Sequence, residues 1–268
     1  MKKLLGVLSA AVIGASLASA APAQATTSPS SSSITATAAA AVTNPATTAP
    51  RPRFSMRSQF AREIVRRGQS DQGVYKIAHV RELQYRLRWA GVYHAGITGT
   101  FGDLTRAAVI RYQRREGMTA FGVANHMTWK HLLFDTIRHR GQIPKNCRRG
   151  GWHICYDRSM HQVVLLRGGV YRNTWLVRGG AFDRQTRLGT HAVYYRDIDH
   201  TSQTFGGSPM PYAQFFDGGE ALHGSGFMTD PFVEHSHGCI NMYIEDARQL
   251  WMLTNNKRLV VTVYGAWD

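Results

Sequence analysis

The chain has 268 residues and a formal charge of +15, from 32 Lys and Arg residues against 17 Asp and Glu residues. This charge favours anionic partners such as nucleic acid, acidic lipid or wall polymers. No segment after the N-terminus is apolar enough to span a bilayer, so the sequence excludes a protein with several membrane-spanning helices.

The N-terminus has the pattern of an export signal. Lys2 and Lys3 precede an apolar run from Leu4 to Leu17, and small residues lead to Ala23-Gln-Ala25. This order predicts a signal peptide over residues 1–25. An uncleaved anchor is the alternative, which the shortness of the run disfavours because a spanning helix needs about 20 residues. Its removal leaves 30 basic against 17 acidic side chains, a charge of +13. Export makes nucleic acid the poorest of the anionic partners, and the protein is expected at the wall or outer face of a bacterial envelope.

Residues 26–74 are predicted to be a disordered tether and lead-in. The stretch from Thr26 to Pro52 is nearly all Thr, Ser, Ala and Pro, and it has no aromatic residue. Such a segment cannot offset the entropy lost on ordering. The remaining length suits one sizeable domain or two small ones, which we place at 75–140 and 145–268.

Helical periodicity marks the first of these domains. Val80, Leu83 and Leu87 lie near one face of a predicted first helix. Asp103 is a suitable N-cap for a second helix, and a third, shorter helix follows Thr128. The pattern predicts a small module of three short helices, too small for a catalytic core.

This module resembles the peptidoglycan-binding module often fused to wall enzymes. The resemblance is carried by Val80-Arg-Glu-Leu83-Gln84, Gly91, Ile97-Thr-Gly99-Thr-Phe101-Gly102, Thr105, Ala108-Val109, Tyr112-Gln113 and Thr128-Trp129. It implies a location on the wall more than a reaction, and a generic helical spacer is the alternative.

After the module, the sequence pattern becomes typical of β-strands. The β-prone runs are His153–Tyr156, Val163–Leu166, Thr174–Val177, His191–Tyr195 and Leu259–Tyr264. Glu245–Leu253 is predicted to be a helix with Ala247, Leu250, Trp251 and Leu253 on its buried side. The C-terminal half is therefore predicted to be a mainly β domain with at least one helix.

The three cysteines divide into a pair and a single residue. Cys147 and Cys155 flank Gly150-Gly151, a spacing that permits a disulfide in an exported protein, and two independent thiols are the alternative. Their pairing would leave Cys239 as the odd thiol.

Cys239 lies in a polar run rather than in a core pattern. The run is His235-Ser-His237-Gly238-Cys239-Ile-Asn241, and His223 lies upstream of it. A free thiol is mostly protonated at neutral pH, so an adjacent imidazole is what makes it a nucleophile. Gly238 gives the backbone room to turn N–H groups toward an oxyanion.

Ser236-His-Gly-Cys239-Ile-Asn241, preceded by His223-Gly224, resembles the signature of the L,D-transpeptidase catalytic domain, also called the YkuD domain. The resemblance extends over roughly Cys147 to Asp268. It departs from the family at Arg187, where Thr-Pro-x-Gly is usual, and in a shorter segment between His223 and Ser236.

The resemblance implies a mainly β, sandwich-type catalytic fold with a helix, preceded by the three-helix module. It implies that Cys239 attacks the amide between the third residue of a tetrapeptide stem and its terminal D-Ala, with His223 as base and His237 as helper. The N–H groups of Gly238 and Cys239 would hold the oxyanion. A neighbouring stem amine would then resolve the thioester into a 3–3 cross-link. Other residues implied to contact substrate are Tyr212, Ser225, Ser236 and Asn241.

Three alternatives stay open at this point. Water in place of the amine would make the protein an L,D-carboxypeptidase acting through the same thioester. A zinc site from His223, His235, His237 and Cys239 has suitable ligand types but no acidic base at a diagnostic spacing. A non-catalytic wall-binding protein would retain the cysteine signature without using it. The favoured interpretation is a monomeric enzyme that needs no cofactor or metal. Its expected binding partners are the donor and acceptor stems of peptidoglycan, and no specific protein partner is expected.

Overall fold

The computed structural model describes residues 56–73 and 77–267. The predicted signal peptide and most of the predicted tether lie outside these residues. These residues form four α-helices: α1 Val80–Trp89, α2 Asp103–Arg115, α3 His126–Asp135 and α4 Ile244–Thr254. The described residues also form nine strands: β1 Trp152–Asp157, β2 Gln162–Arg167, β3 Val170–Leu176, β4 Gly189–Ala192, β5 Tyr195–Thr201, β6 Pro209–Asp217, β7 Glu220–Gly224, β8 Ile240–Met242 and β9 Leu259–Tyr264. None of the described helices combines the length and apolar character needed to cross a membrane.

The predicted fold class is confirmed: a mainly β domain follows a helical module. The strands form a five-stranded sheet in the order β3-β2-β1-β9-β4 and a four-stranded sheet in the order β5-β6-β7-β8. Their facing sides share one core with α4, to which both sheets contribute large side chains such as Trp175, Val261, Phe216 and Leu222. The pairs β1–β9 and β7–β8 are parallel, and the other strand pairs are antiparallel.

Two element boundaries differ from the predictions for identifiable reasons. The run His191–Tyr195 was predicted as one strand, but the chain changes sheets within it. The N–H of Val193 donates to Leu259 in the first sheet, and the N–H of Tyr194 donates to Phe215 in the second. The N-cap of α2 is Gly102, and Asp103 is the first helical residue, where its carboxylate pairs with Arg67 at 2.8 Å.

The lead-in before the helical module is ordered over residues 56–73, which corrects the predicted tether ending at residue 74. Phe60 and Arg62 are buried in this segment. The Arg62 guanidinium donates to Glu82 on α1 at 2.8 Å, and to the Thr174 carbonyl on β3 at 2.8 Å. A lone arginine in a polar stretch carries no local signal for these long-range contacts.

The helical module and the β domain share a core. One cluster of buried side chains includes residues from α1, α2 and α3 together with Cys147, Cys155, Val164 and Leu166. The boundary between residues 140 and 145 therefore separates two sequence patterns within one packed body.

A buried charge network ties α1 to the β domain. Glu82 accepts from Arg62 at 2.8 Å and from Arg86 at 2.9 Å. Burial opposes ionisation of Glu82, but these guanidinium groups lower its pKa to about 2. Nearby, the buried His79 ring contacts Asp246 of α4 at 3.2 Å and Glu63 at 3.0 Å. Burial alone would lower the His79 pKa, yet the two carboxylates raise it well above its ordinary value.

We expect the free energy of unfolding to fall as pH rises above about 6.5, the pKa of a histidine in an unfolded chain. Because the folded-state pKa of His79 is raised, its stabilisation is complete below that pH and is lost as pH rises through the folded pKa. The variant His79→Gln should lose about 3 kcal/mol near pH 6, because Asp246 would keep a buried charge without its partner.

Urea unfolding of the wild type, His79→Gln and the exposed-site control His94→Gln at pH 6 and pH 9 measures this. The control should retain the wild-type pH dependence. An equal pH dependence in His79→Gln would show that other groups are responsible.

The Cys147–Cys155 disulfide provides a second prediction. Both cysteines are buried, and the bridge joins positions eight residues apart. The chain-entropy model gives about 2.5 kcal/mol for closing a loop of this size. We expect the double variant Cys147→Ala/Cys155→Ala to unfold at lower urea concentration while alkylation of Cys239 stays normal. An unchanged unfolding midpoint would contradict a stabilising role.

Candidate active site

The site is built where β7 and β8 run side by side. Their parallel pairing sets Leu222 opposite Ile240 and His223 opposite Asn241. Cys239 directly precedes β8, so it lies next to the strand that carries His223. Both side chains line one cavity of about 300 Å³, which we call the thiol cavity. The structure thus brings together the predicted nucleophile and the predicted base.

The hydrogen bonding of His223 fixes its tautomer. Its Nδ1 lies 2.7 Å from the carbonyl oxygen of Gly224. A carbonyl can only accept, so Nδ1 carries the proton and Nε2 has the free electron pair. Burial lowers the His223 pKa to about 4, and the charge of Arg178 adds to this effect, although the hydrogen bond to Gly224 opposes it. His223 is therefore a neutral imidazole at neutral pH, the form that can accept a proton.

The Cys239 thiol is protonated in the resting site. Burial and the nearby Glu220 carboxylate raise its pKa, although an N–H from Ala221 works in the opposite direction. The sulfur lies 3.9 Å from the Gly219 carbonyl, to which the thiol donates. Because the thiol pKa is raised and the imidazole pKa is lowered, the resting pair is neutral rather than a thiolate–imidazolium ion pair.

Ser236 and Gly238 build the turn that carries Cys239. The Ser236 hydroxyl donates to the Cys239 carbonyl at 2.6 Å and accepts the Gly238 N–H at 3.1 Å. Gly238 has φ +123°, and a side chain there would meet Glu220 Oε1 at 3.1 Å. Ser236 was predicted as a substrate contact and the Gly238 N–H as an oxyanion donor. In the structure both groups make hydrogen bonds within the turn.

The remaining predicted residues separate into two groups. Ser225 and Asn241 are buried and line the thiol cavity, and the exposed His237 lies at its edge against the Phe205 ring, with 4.5 Å between ring centroids. Tyr212 lies outside this cavity. It lines a neighbouring cavity of about 430 Å³ and its ring lies against Trp251 of α4, at a centroid distance of 6.2 Å.

Sequence reasoning missed Arg178 and Glu220. Arg178 follows β3, lines the thiol cavity and is buried. Burial raises the pKa of Glu220, at the start of β7, to about 7. The sequence feature that could have pointed to Arg178 is the Gly179-Gly180 pair, which follows a predicted strand. A side chain at Gly180 would meet the Gly238 backbone at 2.9 Å, so this segment must pass very close to the cysteine turn.

The predicted zinc ligands face different neighbours. His223 donates to the Gly224 carbonyl, the His237 ring lies against Phe205, and the His235 ring lies against Trp267 at 5.3 Å. Within residues 56–73 and 77–267, the one group of three metal-ligand side chains with converging atoms is His79, Glu82 and Asp246. The arginines and carboxylates of the charge network already contact that group. Among the described residues, the four predicted zinc ligands do not form a group of this kind.

Two family models match the chain. Residues 151–262 match the L,D-transpeptidase catalytic domain, YkuD. Residues 78–132 match a peptidoglycan binding domain. These ranges fall on the β domain and on the helical module, in the order that the sequence motifs predict. No protein of curated function matches the chain.

Solved structures of L,D-transpeptidases are similar to this chain. One from Stackebrandtia nassauensis is 21% identical over 79% of this chain and 98% of its own, with a TM-score of 0.48. One from Xylanimonas cellulosilytica is 22% identical over 76% of this chain and 98% of its own, with a TM-score of 0.44. One from Mycobacterium tuberculosis is 18% identical over 42% of this chain and 57% of its own, with a TM-score of 0.38.

The position of Glu220 gives a prediction about Cys239. Because the Glu220 carboxylate raises the thiol pKa, Glu220→Gln should move the pH midpoint of Cys239 alkylation by iodoacetamide to lower values. Asp217→Asn, in the same β6–β7 hairpin, is the control and should shift the midpoint less. The rate of alkylation against pH, followed by intact mass, measures both. A midpoint that stays in place or rises in Glu220→Gln would contradict this electrostatic coupling.

Proposed function

We propose, from the L,D-transpeptidase catalytic domain that residues 151–262 constitute, that Cys239 forms a thioester with tetrapeptide stems of peptidoglycan. The chain is an acyltransferase of peptidoglycan, and the proposal concerns its mechanism, residues and product. Its strongest support is the shared cavity of Cys239 and a neutral His223 whose Nε2 is free to accept a proton.

In the first step, Nε2 of His223 removes the thiol proton as Cys239 Sγ attacks the carbonyl carbon of the third stem residue. The C–N bond to D-Ala then breaks, and the imidazolium returns the proton to the leaving amine. This leaves a thioester and free D-Ala. A resting pair that is neutral suits this sequence, since charge develops only when substrate is present.

In the second step, a side-chain amine from a neighbouring stem attacks the thioester carbon. His223 takes a proton from that amine, the C–S bond breaks, and Cys239 recovers its proton. The neighbouring cavity supports an amine as acceptor, because Asp199 lines it and it shares Pro209 and Phe227 with the thiol cavity. A carboxylate at that point attracts an ammonium group.

We assign oxyanion stabilisation to the Cys239 N–H, because the Gly238 N–H already donates to Ser236. His237, beside Phe205 at the edge of the cavity, is assigned to contact with the stem. The Ser225 hydroxyl accepts the Phe227 N–H at 3.2 Å, so its role is to shape the cavity wall rather than to transfer protons.

The peptidoglycan binding domain supports action at the cell wall. We extend this to an exported, monomeric protein whose module and positive charge retain it on anionic wall polymer. Since the module shares its core with the β domain, wall binding and chemistry belong to one rigid body in this proposal.

We expect Cys239→Ala to abolish D-Ala release from a disaccharide-tetrapeptide and His223→Gln to reduce it by about 10²- to 10⁴-fold, the usual contribution of a general base. The exposed-site control His126→Gln should behave as wild type. D-Ala release and the masses of the products measure this. Release by folded Cys239→Ala protein at the wild-type rate would overturn the proposal.

The products separate the two possible fates of the thioester. A dimer lighter than two donors by one D-Ala demonstrates transfer, whereas tripeptide alone demonstrates hydrolysis and an L,D-carboxypeptidase. We expect the dimer to predominate when acceptor stems are abundant.

A further inference from the structure

Arg178 places a buried positive charge in the thiol cavity. It exchanges backbone hydrogen bonds with Asn241 at 2.8 and 2.9 Å, and its side chain is 4% exposed. Two residues paired in this way point their side chains to the same face. Arg178 therefore lies beside Asn241 and shares the cavity with Cys239 and His223.

The guanidinium of Arg178 is buried but makes few hydrogen bonds. Its Nη1 donates to the Val233 carbonyl and to the Glu234 carboxylate, both at 3.3 Å. Its Nε is buried without a hydrogen-bond partner among the described residues. An arginine presents five N–H donors and keeps its charge in proteins, so a buried guanidinium that lacks partners is costly. The guanidinium thus has unused donor capacity, which a bound anion would satisfy.

Glu234 shows which kind of anion fits. Its side chain is 72% exposed, yet its Oε2 lies 3.3 Å from Arg178 Nη1, and its backbone has φ +63°. The chain itself thus places a carboxylate on this guanidinium. A long ion pair with an exposed partner is weakly held, so a better-placed carboxylate can displace Glu234.

The neighbouring Asn241 adds a complementary group. Its Oδ1 is buried without a hydrogen-bond partner among the described residues. The pair therefore offers cationic donors from Arg178 and an acceptor from Asn241. An amino-acid residue with a carboxylate and an amide N–H satisfies both at once.

We propose that Arg178 binds a carboxylate of the donor stem peptide and that Glu234 occupies this position until substrate displaces it. The identity of the ligand rests on the proposed function. The carboxylate comes from the terminal D-Ala or from the side chain of the third residue, and both have the same chemistry. A stem extended by one residue moves its terminal carboxylate away from the scissile amide, so the first source would also select tetrapeptides by length.

Binding to Cys239→Ala protein tests the proposal without turnover. The probes are a tetrapeptide stem with free carboxylates, its terminal D-Ala amide, and its third-residue side-chain amide. In calorimetry, Arg178→Gln should weaken binding of the free stem about tenfold or more, as expected for hydrogen bonds to a charged group. Arg178→Lys should recover part of this loss, and Glu234→Gln should bind more tightly than its parent.

The amidated probes identify the carboxylate. The probe that lacks the recognised carboxylate should bind Arg178 and Arg178→Gln proteins equally, while the other probe should keep the full difference. Arg184→Gln, which removes an exposed arginine paired with Asp183, is the matched control and should change nothing.

Two results would overturn the proposal: equal binding of the free stem by Arg178 and Arg178→Gln proteins, or the same loss for all three probes. If Arg178→Gln does not fold, the variants Arg178→Lys and Glu234→Gln test the proposal instead. Unchanged binding of the free stem in both variants would also overturn the proposal. D-Ala release by wild-type enzyme is measured separately. Normal release with Arg178-independent binding rejects this site alone, whereas Arg178-dependent binding without release rejects the proposed reaction and retains the carboxylate site.

Discussion

The parallel pairing of β7 with β8 is the interaction on which the site depends. It sets His223 opposite Asn241 and brings the turn before β8 alongside β7. The opposite edge of β8 is fixed by the hydrogen bonds between Arg178 and Asn241. Three chain segments far apart in sequence thus converge on one short strand. Backbone hydrogen bonds on both sides of β8 thus fix the backbone next to Cys239 relative to the strand that carries His223.

Burial governs the electrostatics of this site. It raises the pKa of Cys239 and lowers that of His223, so both groups are neutral at rest. The positive charge of Arg178 adds to the effect on His223. A neutral resting thiol is a poor target for indiscriminate alkylation or oxidation, because the thiolate is the reactive form. In this account the nucleophile is generated only when a carbonyl is in place to receive it.

The sequence predicted the groups that carry local signals. The motif around Cys239, with His223-Gly224 upstream, pointed to two residues that line one cavity in the structure, and the run Leu259–Tyr264 matches β9 residue for residue. The contacts of Arg178 and Arg62 could not be predicted. Each is a single arginine whose partners lie 20 or more residues away. The role of Ser236 in its turn was also missed, because a serine beside a nucleophile has the same sequence pattern whether it faces substrate or backbone.

The central claim is that Cys239 carries the acyl group between donor and acceptor. Intact-protein mass spectrometry after rapid mixing with a tetrapeptide stem, without acceptor, tests it most directly. We predict a transient mass increase equal to the mass of the stem minus that of free D-Ala, and peptide mapping should locate it on Cys239. D-Ala release without any covalent adduct, or an adduct that maps to another residue, would contradict it.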